Sequence, residues 1–339
     1  MEYWDIYDEN KQLTGNKMVR NDWNMKPDQF HLTVLGVIER SDGKFLITKR
    51  VETKSWAPGH WEVSGGGVMA GETSYEAVVR EIKEEVGLDV TKAKGGYAFS
   101  YKRVNLEEKN NYFVDIYKFY MDFKEEDVKI QENEAAGFKL ATRNEIKEIA
   151  QKGEFLHYDS IKNVFMENPQ IFLIGFMGTG KSTVSKALAK ILPYEIIEMD
   201  QTIVDEAKMP IAQIFEKYGE NYFRDLETNL VTRISKSLED GKKKIVSCGG
   251  GVVVRETNRQ IMKQCGKIVL LTASPKTILD RVKDSDERPI LNGNMTEDYI
   301  EKLMEKRDEL YKNTADFAIK TDGKSAESIA EEIFVNLFK

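Results

Sequence analysis

Ile171-Phe172-Leu173-Ile174-Gly175-Phe176-Met177-Gly178-Thr179-Gly180-Lys181-Ser182 is the stretch on which the reading of this chain turns. Its first four residues are continuously apolar and stop at a glycine, the pattern of a strand buried on both faces. The next eight fit G-x-x-x-x-G-K-[ST], and a helical pattern opens directly after them. Strand, glycine-rich loop and helix in that order make a phosphate cradle. Glycines let the loop amides turn inward, and the helix N-terminus favours an anion. Lys181 is then placed for the outer phosphates of a nucleotide, and the Ser182 hydroxyl for the shell of a Mg2+ ion. Gly175, Gly178, Thr179, Gly180 and Thr183 complete the expected nucleotide contacts.

Outward from this loop, the C-terminal half alternates apolar strands with amphipathic helices, which marks the α/β class. Ile171–Ile174, Glu195–Met199, Lys244–Ser247, Ile268–Leu271 and Phe317–Lys320 read as the strands of a five-stranded parallel sheet with right-handed crossovers. Upstream the texture differs. Phe30–Ile38 and Lys44–Arg50 read as strands joined by the turn Ser41-Asp42-Gly43, and Thr73–Val86 as a helix stopped by Gly87. Tyr97–Arg103 and Tyr112–Phe123 follow as strands. Asn144–Met166 reads as one helix ending at Glu167-Asn168-Pro169, where proline disfavours helix in its predecessor. A domain boundary there gives 1–168 and 169–339, each long enough for its own core.

Composition narrows the function class. With 41% hydrophobic residues, 32% charged residues and a net charge of -7, the chain is an ordinary globular protein. Its Lys and Arg are dispersed, which argues against nucleic acid or an anionic membrane as a partner. Met1–Asn10 carries acids and aromatics where an export signal needs a basic start and an apolar run. No segment approaches the roughly 20 apolar residues that span a bilayer. Cys248 and Cys265, the only cysteines, are too few for a disulfide framework. The expectation is a cytoplasmic, monomeric protein acting on small molecules.

A second motif lies in the N-terminal half. Gly66–Leu88 fits G-x5-E-x7-R-E-U-x-E-E-x-G-U at Gly66, Glu72, Arg80, Glu81, Ile82, Glu84, Glu85, Gly87 and Leu88. On a helix Glu81, Glu84 and Glu85 share one face through i, i+3 and i+4 spacing. Like charges so placed oppose an isolated helix by a few tenths of a kcal/mol per pair, roughly, so the cluster makes sense when divalent cations compensate it. Such oxygen ligands suit Mg2+ or Mn2+, which bridge a diphosphate and activate a water. A solvated acidic helix accounts for the charges but not for the glycines or Arg80.

Two family resemblances follow. Glu198-Met199-Asp200, Gly219–Glu227, Gly249-Gly250-Gly251, Arg288-Pro289-Ile290-Leu291 and Arg307–Tyr311 occur in the order that shikimate kinases show, and the resemblance covers nearly all of Gln170–Lys339. It implies a P-loop kinase fold and transfer of a phosphoryl group from ATP to the shikimate 3-hydroxyl, a step of aromatic amino acid biosynthesis. Arg224 and Arg307 would clamp the substrate carboxylate, as Arg suits bidentate recognition. Gly249, Gly250 and Gly251 would approach the ring. Asp200 would orient the attacked hydroxyl and accept its proton, and Arg288 on a lid would neutralise the moving charge. Arg281 matches a position near the nucleotide and reads equally as surface charge. Glu198 stands where the family usually has Asp, with one more methylene, so a water-mediated Mg2+ contact is expected.

Gly66–Leu88 resembles the Nudix box. This implies an α/β/α fold with a mixed sheet and metal-dependent hydrolysis of a nucleoside diphosphate linked to another moiety. The Gly65 carbonyl would join Glu81, Glu84 and Glu85 as a metal ligand, with Glu72 and Arg80 supporting loop and helix. Glu132 and Glu134 are candidates for a further base or ligand, and equally for solvated surface. Trp4–Asn10 with Thr14-Gly15 resembles the isopentenyl-diphosphate isomerase branch, but that branch isomerises with a cysteine and none precedes Cys248. His31 would be a metal ligand in that branch, although a lone His at a strand start is more often structural. Two rival readings stay open: a kinase for another small polyol acid such as gluconate, and a Nudix half that senses a nucleotide without cleaving it.

Overall fold

The computed structural model describes residues 1–22, 24–167, 169–236, 243–283 and 296–339. The chain divides into two units, Met1–Glu167 with Phe338–Lys339, and Asn168–Leu337.

The first unit opens with a hairpin of β1 (Tyr3–Tyr7) and β2 (Leu13–Val19). Among the described residues its main sheet has seven strands: β3 (His31–Glu39), β4 (Phe45–Arg50), β5 (Trp61–Glu62), β6 (Ser64–Gly67), β7 (Lys94–Arg103), β8 (Tyr112–Tyr120) and β9 (Ala135–Ala141). Strand β3 is central and makes the sheet mixed. Strand β8 runs parallel to it with Asp115 opposite Val34, while β4 and β6 run antiparallel. Helix α1 (Ser74–Val86) begins at a reciprocal capping box between Thr73 and Glu76 and ends at Gly87, whose φ of 75° closes the last turn. Its buried Val78, Ile82 and Val86 join Val34 and Ile38 of β3 in the core. Contact is so close at Gly36 that a Cβ there would lie 2.5 Å from Ile82 Cδ1.

One strand carried no local signal, and one local expectation fails for tertiary reasons. Gly65-Gly66-Gly67, which no strand propensity marks, belongs to β6 because β3 holds it in register. The single helix expected over Asn144–Met166 is broken into α2 (Arg143–Gln151), α3 (Tyr158–Ile161) and a 3-10 turn, Lys162–Phe165. Gly153 reverses the chain at φ 76°, and Phe155 enters the core beside Trp61. The Trp61 amide donates to the Glu154 carbonyl and the Leu156 amide to the Trp61 carbonyl, both at 2.8 Å. Pairing to a sheet edge thus overrides helix propensity.

In the second unit β10 (Gln170–Ile174), β11 (Glu195–Glu198), β12 (Lys244–Ser247), β13 (Gly266–Thr272) and β14 (Phe317–Lys320) form, among the described residues, a five-stranded sheet. The order is β11-β12-β10-β13-β14 and every pair is parallel. Central β10 is buried throughout, as its apolar run requires. Helices α4 (Lys181–Ile191), α5 (Met199–Ala207), α6 (Ile211–Lys236), α7 (Glu256–Cys265), α8 (Pro275–Val282), α9 (Glu297–Thr314) and α10 (Ala326–Asn336) connect and follow the strands. Met199, read as the end of a strand, instead opens α5. Helix α6 kinks at Gly219, with φ 80° and ψ 171°. The carboxyl ends of β10, β11 and β12 lead into the glycine loop, Asp200 and Gly249–Gly251, which is where open α/β sheets bind ligands.

Lys118 of β8 is fully buried in the first unit. It pairs with Glu39 at 2.7 Å and donates to the Val164 carbonyl at 2.6 Å. The rings of Phe45, Tyr120 and Phe338 surround it. Removing one member of a buried pair strands the other charge, so Glu39→Ala is expected to cost this unit about 3 kcal/mol. All four tryptophans precede residue 62, so their emission in a denaturant titration follows this unit; an unchanged midpoint would show the pair to be dispensable.

Candidate active sites

The loop between β10 and α4 is built as its spacing demands. Gly178 and Gly180 have φ of 75° and 96°, the left-handed region that glycine enters without strain. Lys181 folds back over the loop, its Nζ donating to the carbonyls of Gly175 at 2.8 Å and Phe176 at 3.0 Å. Thr179 Oγ1 donates to the Phe176 carbonyl, and the Thr183 amide to that of Gly180. Arg281 seats beside the loop, with Nη1 donating to the Gly178 carbonyl at 3.1 Å and both Nη atoms to Thr321. Ser182 Oγ donates to one oxygen of Glu198 at 2.7 Å, and the buried Ser185 Oγ to the other at 2.8 Å. The longer Glu198 side chain therefore spans two hydroxyls. A cavity of about 830 Å³ runs from this loop to Asp200, Cys248 and Gly250.

At its far end residues distant in sequence converge. Asp200 lies in the first turn of α5, Arg224 on α6, Gly249–Gly251 after β12 and Arg307 on α9. Arg224 is buried, donating through Nη1 to Glu227 and through Nη2 to Glu220, each at 2.7 Å. A Cβ on Gly249 would stand 2.5 Å from Asp200 Oδ1, and one on Gly251 would overlap the Arg224 guanidinium. Arg307 Nη1 and the Tyr311 hydroxyl donate to the Gly250 carbonyl at 3.2 and 2.5 Å.

Glu227 and Tyr311 lay inside motifs read from the sequence but were given no role. The i, i+3 spacing of Arg224 and Glu227 was the available signal. Burial pushes the Glu227 carboxyl up, against the pull of Arg224. Burial likewise pushes the Cys248 thiol up, as befits a structural cysteine. Arg288, read as a lid residue, lies outside the described residues.

In the first unit Arg80 is the hub. Its Nε and Nη2 donate to Glu72 at 2.9 and 3.0 Å, Nη1 to Glu81 at 2.7 Å and Glu84 at 3.3 Å, and Nη2 to the Gly67 carbonyl at 3.2 Å. Glu72 also accepts from the Met69 amide, tying the turn before α1 to the helix. Glu81 is buried against Gly66, where a Cβ would overlap its carboxylate, whereas Glu84 is exposed. Burial, then Glu62 and Glu81, raise the Glu85 carboxyl well above its ordinary range, with Ser64 and Gly65 opposing through hydrogen bonds. Burial also raises Glu81 and Glu62, opposed by Arg80 and Arg50 respectively.

Glu62 was missed because a two-residue strand has no sequence signature. Among the described residues no three His, Cys, Asp or Glu side chains are arranged as a finished metal cluster. Even so, Glu81 and Glu85 beside the side-chain-free Gly65 and Gly66 form an oxygen-rich cradle that fits a hard divalent cation. Glu134 pairs with Lys54 and raises Glu62, while Glu132 is exposed. His31 stacks on Trp4 at 4.0 Å, and its Nε2 lies 3.1 Å from Asn110 Oδ1. It forms the wall of a cavity of about 620 Å³ that reaches Gly65–Gly67 and Glu62.

Comparison with known proteins separates the same two halves. Residues 177–337 match the family model described as shikimate kinase, and residues 29–163 the model described as NUDIX domain. A shikimate kinase of Geobacter sulfurreducens is 44% identical over 163 residues, 48% of this chain and 87% of that protein. One of Thermodesulfovibrio yellowstonii is 40% identical over 163 residues, 48% of this chain and 91% of that protein. The structure of shikimate kinase from Acinetobacter baumannii in complex with shikimate covers 50% of this chain and 92% of its own, at 33% identity and a TM-score of 0.47.

Burial lowers His31 to about 4. That is below its unfolded value of about 6.5, so the neutral ring stabilises fully above pH 6.5 and the benefit is lost as pH falls toward 4. His31→Phe keeps an aromatic against Trp4 without the titration. Between pH 7 and 4.5 the wild type is expected to lose about 2 to 3 kcal/mol more than the variant, as the integrated shift requires. Urea midpoints by tryptophan emission measure this, and parallel pH profiles would contradict it.

Proposed function

The chain belongs to the shikimate kinase family through its C-terminal unit and carries a Nudix domain ahead of it, and from that premise we propose a bifunctional enzyme that phosphorylates shikimate with ATP and hydrolyses a diphosphate compound. The convergence of Asp200, Arg224, Gly249–Gly251 and Arg307 at the far end of the nucleotide cavity is the observation that carries the first activity.

ATP phosphates entering the loop would draw Lys181 away from the Gly175 and Phe176 carbonyls, an exchange of neutral acceptors for charged ones. Held by Ser182 and Glu198, Mg2+ would neutralise phosphate oxygens. Arg307 forms no ion pair among the described residues, and Glu227, which feels its charge, is already paired with Arg224, so Arg307 is the arginine with charge to offer a substrate carboxylate. Asp200 takes the proton of the 3-hydroxyl as that oxygen bonds to the γ-phosphorus and the bond to the ADP oxygen breaks. Arg281 steadies the loop, and Arg288 is assigned to charge neutralisation by resemblance alone.

In the Nudix domain Glu81, Glu84, Glu85 and the Gly65 carbonyl would hold Mg2+ or Mn2+, which would polarise the diphosphate and its attacking water. Arg80 keeps Glu81 and Glu84 on one side of the helix. The crowding of Glu85 by Glu62 and Glu81 supports this reading, because a carboxyl so placed gains most from a cation.

Asp200→Asn should retain ATP binding by calorimetry while losing shikimate-stimulated ADP release by about 10²-fold or more. Gluconate should not replace shikimate; stimulation by gluconate alone would overturn the acceptor assignment. Separately, Glu85→Gln should abolish Mg2+-dependent phosphate release from nucleoside diphosphate derivatives, with ADP release on shikimate as the internal control. Undiminished hydrolysis by this variant would refute the metal role of the helix.

A further inference from the structure

One cavity in the first unit holds an arginine, Arg103, that its assigned chemistry does not use. Three arginines line it. Arg20 pairs with Glu2 at 2.6 Å and Arg50 with Glu62 at 3.0 Å. Arg103, half-buried at the end of β7, forms no ion pair among the described residues; Glu108, the cavity's remaining acid, is exposed to solvent and acts on Tyr112 from outside ion-pair range. Arg103 Nη1 donates to the Tyr112 hydroxyl at 2.6 Å and its guanidinium lies over the same ring. Burial, then Arg103 and Arg50, hold His157 down to about 4, so the field on this wall is positive. Nearby His31, only 4% exposed, has its Nδ1 without a hydrogen-bond partner among the described residues. A guanidinium partly withdrawn from water without an anion is a standing cost that a bound anion removes.

Strand order says which part of a substrate meets this charge. Strands β7, β8, β3 and β6 are neighbours in that sequence. Three strand spacings, about 14 Å, separate Arg103 from the glycine run across the sheet, and the register, with Arg103 level with His31 and Gly67 level with Thr33, adds about 7 Å or more along it. The glycine run and the glutamates of α1 locate the diphosphate, so Arg103 faces what is attached to it. An apolar chain there would leave the guanidinium desolvated and unpaired.

We propose that Arg103 makes the Nudix domain selective for substrates whose moiety beyond the diphosphate carries a second anionic group, a phosphate or a carboxylate. The inference rests on the hydrolase reading of this unit and adds to it a specificity-determining residue.

Matched probes test it. ADP-ribose and its 2′-phosphate differ by a phosphate; UDP-glucose and UDP-glucuronate differ by a carboxylate. Binding to the full chain without divalent metal can be followed by the emission of Trp4 and Trp56, which line the cavity. In at least one pair the anionic member should bind roughly tenfold tighter or better, the scale of a charge-assisted hydrogen bond. The responding pair tells phosphate from carboxylate. Arg103→Gln should bring that ratio to about one, and Arg103→Lys, which keeps the charge, should preserve part of it. A merely structural role would weaken both members equally and leave the ratio intact. A ratio of one in both pairs for the wild type, or a ratio that survives Arg103→Gln, overturns the proposal. Hydrolysis with Mg2+ is scored separately: selective binding without hydrolysis refutes the hydrolase reading, and hydrolysis without selectivity refutes this inference.

Discussion

A charge withdrawn from water must keep a partner, and much of this molecule is arranged around that requirement. Lys118 shows it in the core, where Glu39, a carbonyl and three aromatic rings hold one ammonium. The sites show it in working form. Lys181 rests on loop carbonyls, Arg224 between Glu220 and Glu227, and Arg80 among Glu72, Glu81 and Glu84. Binding in each case is an exchange of partners rather than the filling of a bare charge. The exchange can be selective because the resident partners differ in strength. Carbonyls yield to phosphate more readily than carboxylates do, and of the two acids on Arg224 the exposed Glu220 is more readily displaced than the buried Glu227.

Close approach is the second constraint, and it explains why glycine recurs at both sites. At Gly66 and Gly251 the backbone is ordinary in φ but a Cβ would occupy the space of a functional carboxylate or guanidinium. Gly178 and Gly180 are needed for a different reason, their left-handed backbone. A pattern search sees all four as the same letter. Only the packing around each shows that one pair makes room for a charged side chain, Glu81 or Arg224, and the other sets the shape of the loop.

This distinction marks how much was legible in the sequence. The phosphate loop and α1 were readable because their signals are local: apolar run, glycine spacing, capping Thr73 and stopping Gly87 all lie within a few residues of what they determine. Strand β6 and the break after Gln151 were not, since both are imposed by pairing to β3 and Trp61 across the fold. Glu62 and Tyr311 were passed over for a related reason. Each acquires significance from a neighbour brought to it by tertiary structure: Glu85 and Gly250 respectively. The partner of Glu227, Arg224, instead lies one turn away on the same helix and was a local signal. His31 was read as a ligand in one branch and more often as structural, and the structure stacks its ring on Trp4 with Nε2 beside Asn110 in the cavity wall.

The two cation-binding expectations differ physically in a way that residue type alone conceals. Both rely on glutamate. Glu198 is held by the hydroxyls of Ser182 and Ser185, which are neutral donors, so its full charge stays available to a cation. Glu81 and Glu84 are instead held by the guanidinium of Arg80, so a cation arriving there competes with a charge already present. Glu85, crowded by two carboxylates and without an ion pair among the described residues, would favour the metal in that competition. On the proposed reading the kinase site would offer a metal an intact charge, and the Nudix site one in which relief of repulsion replaces an ion pair.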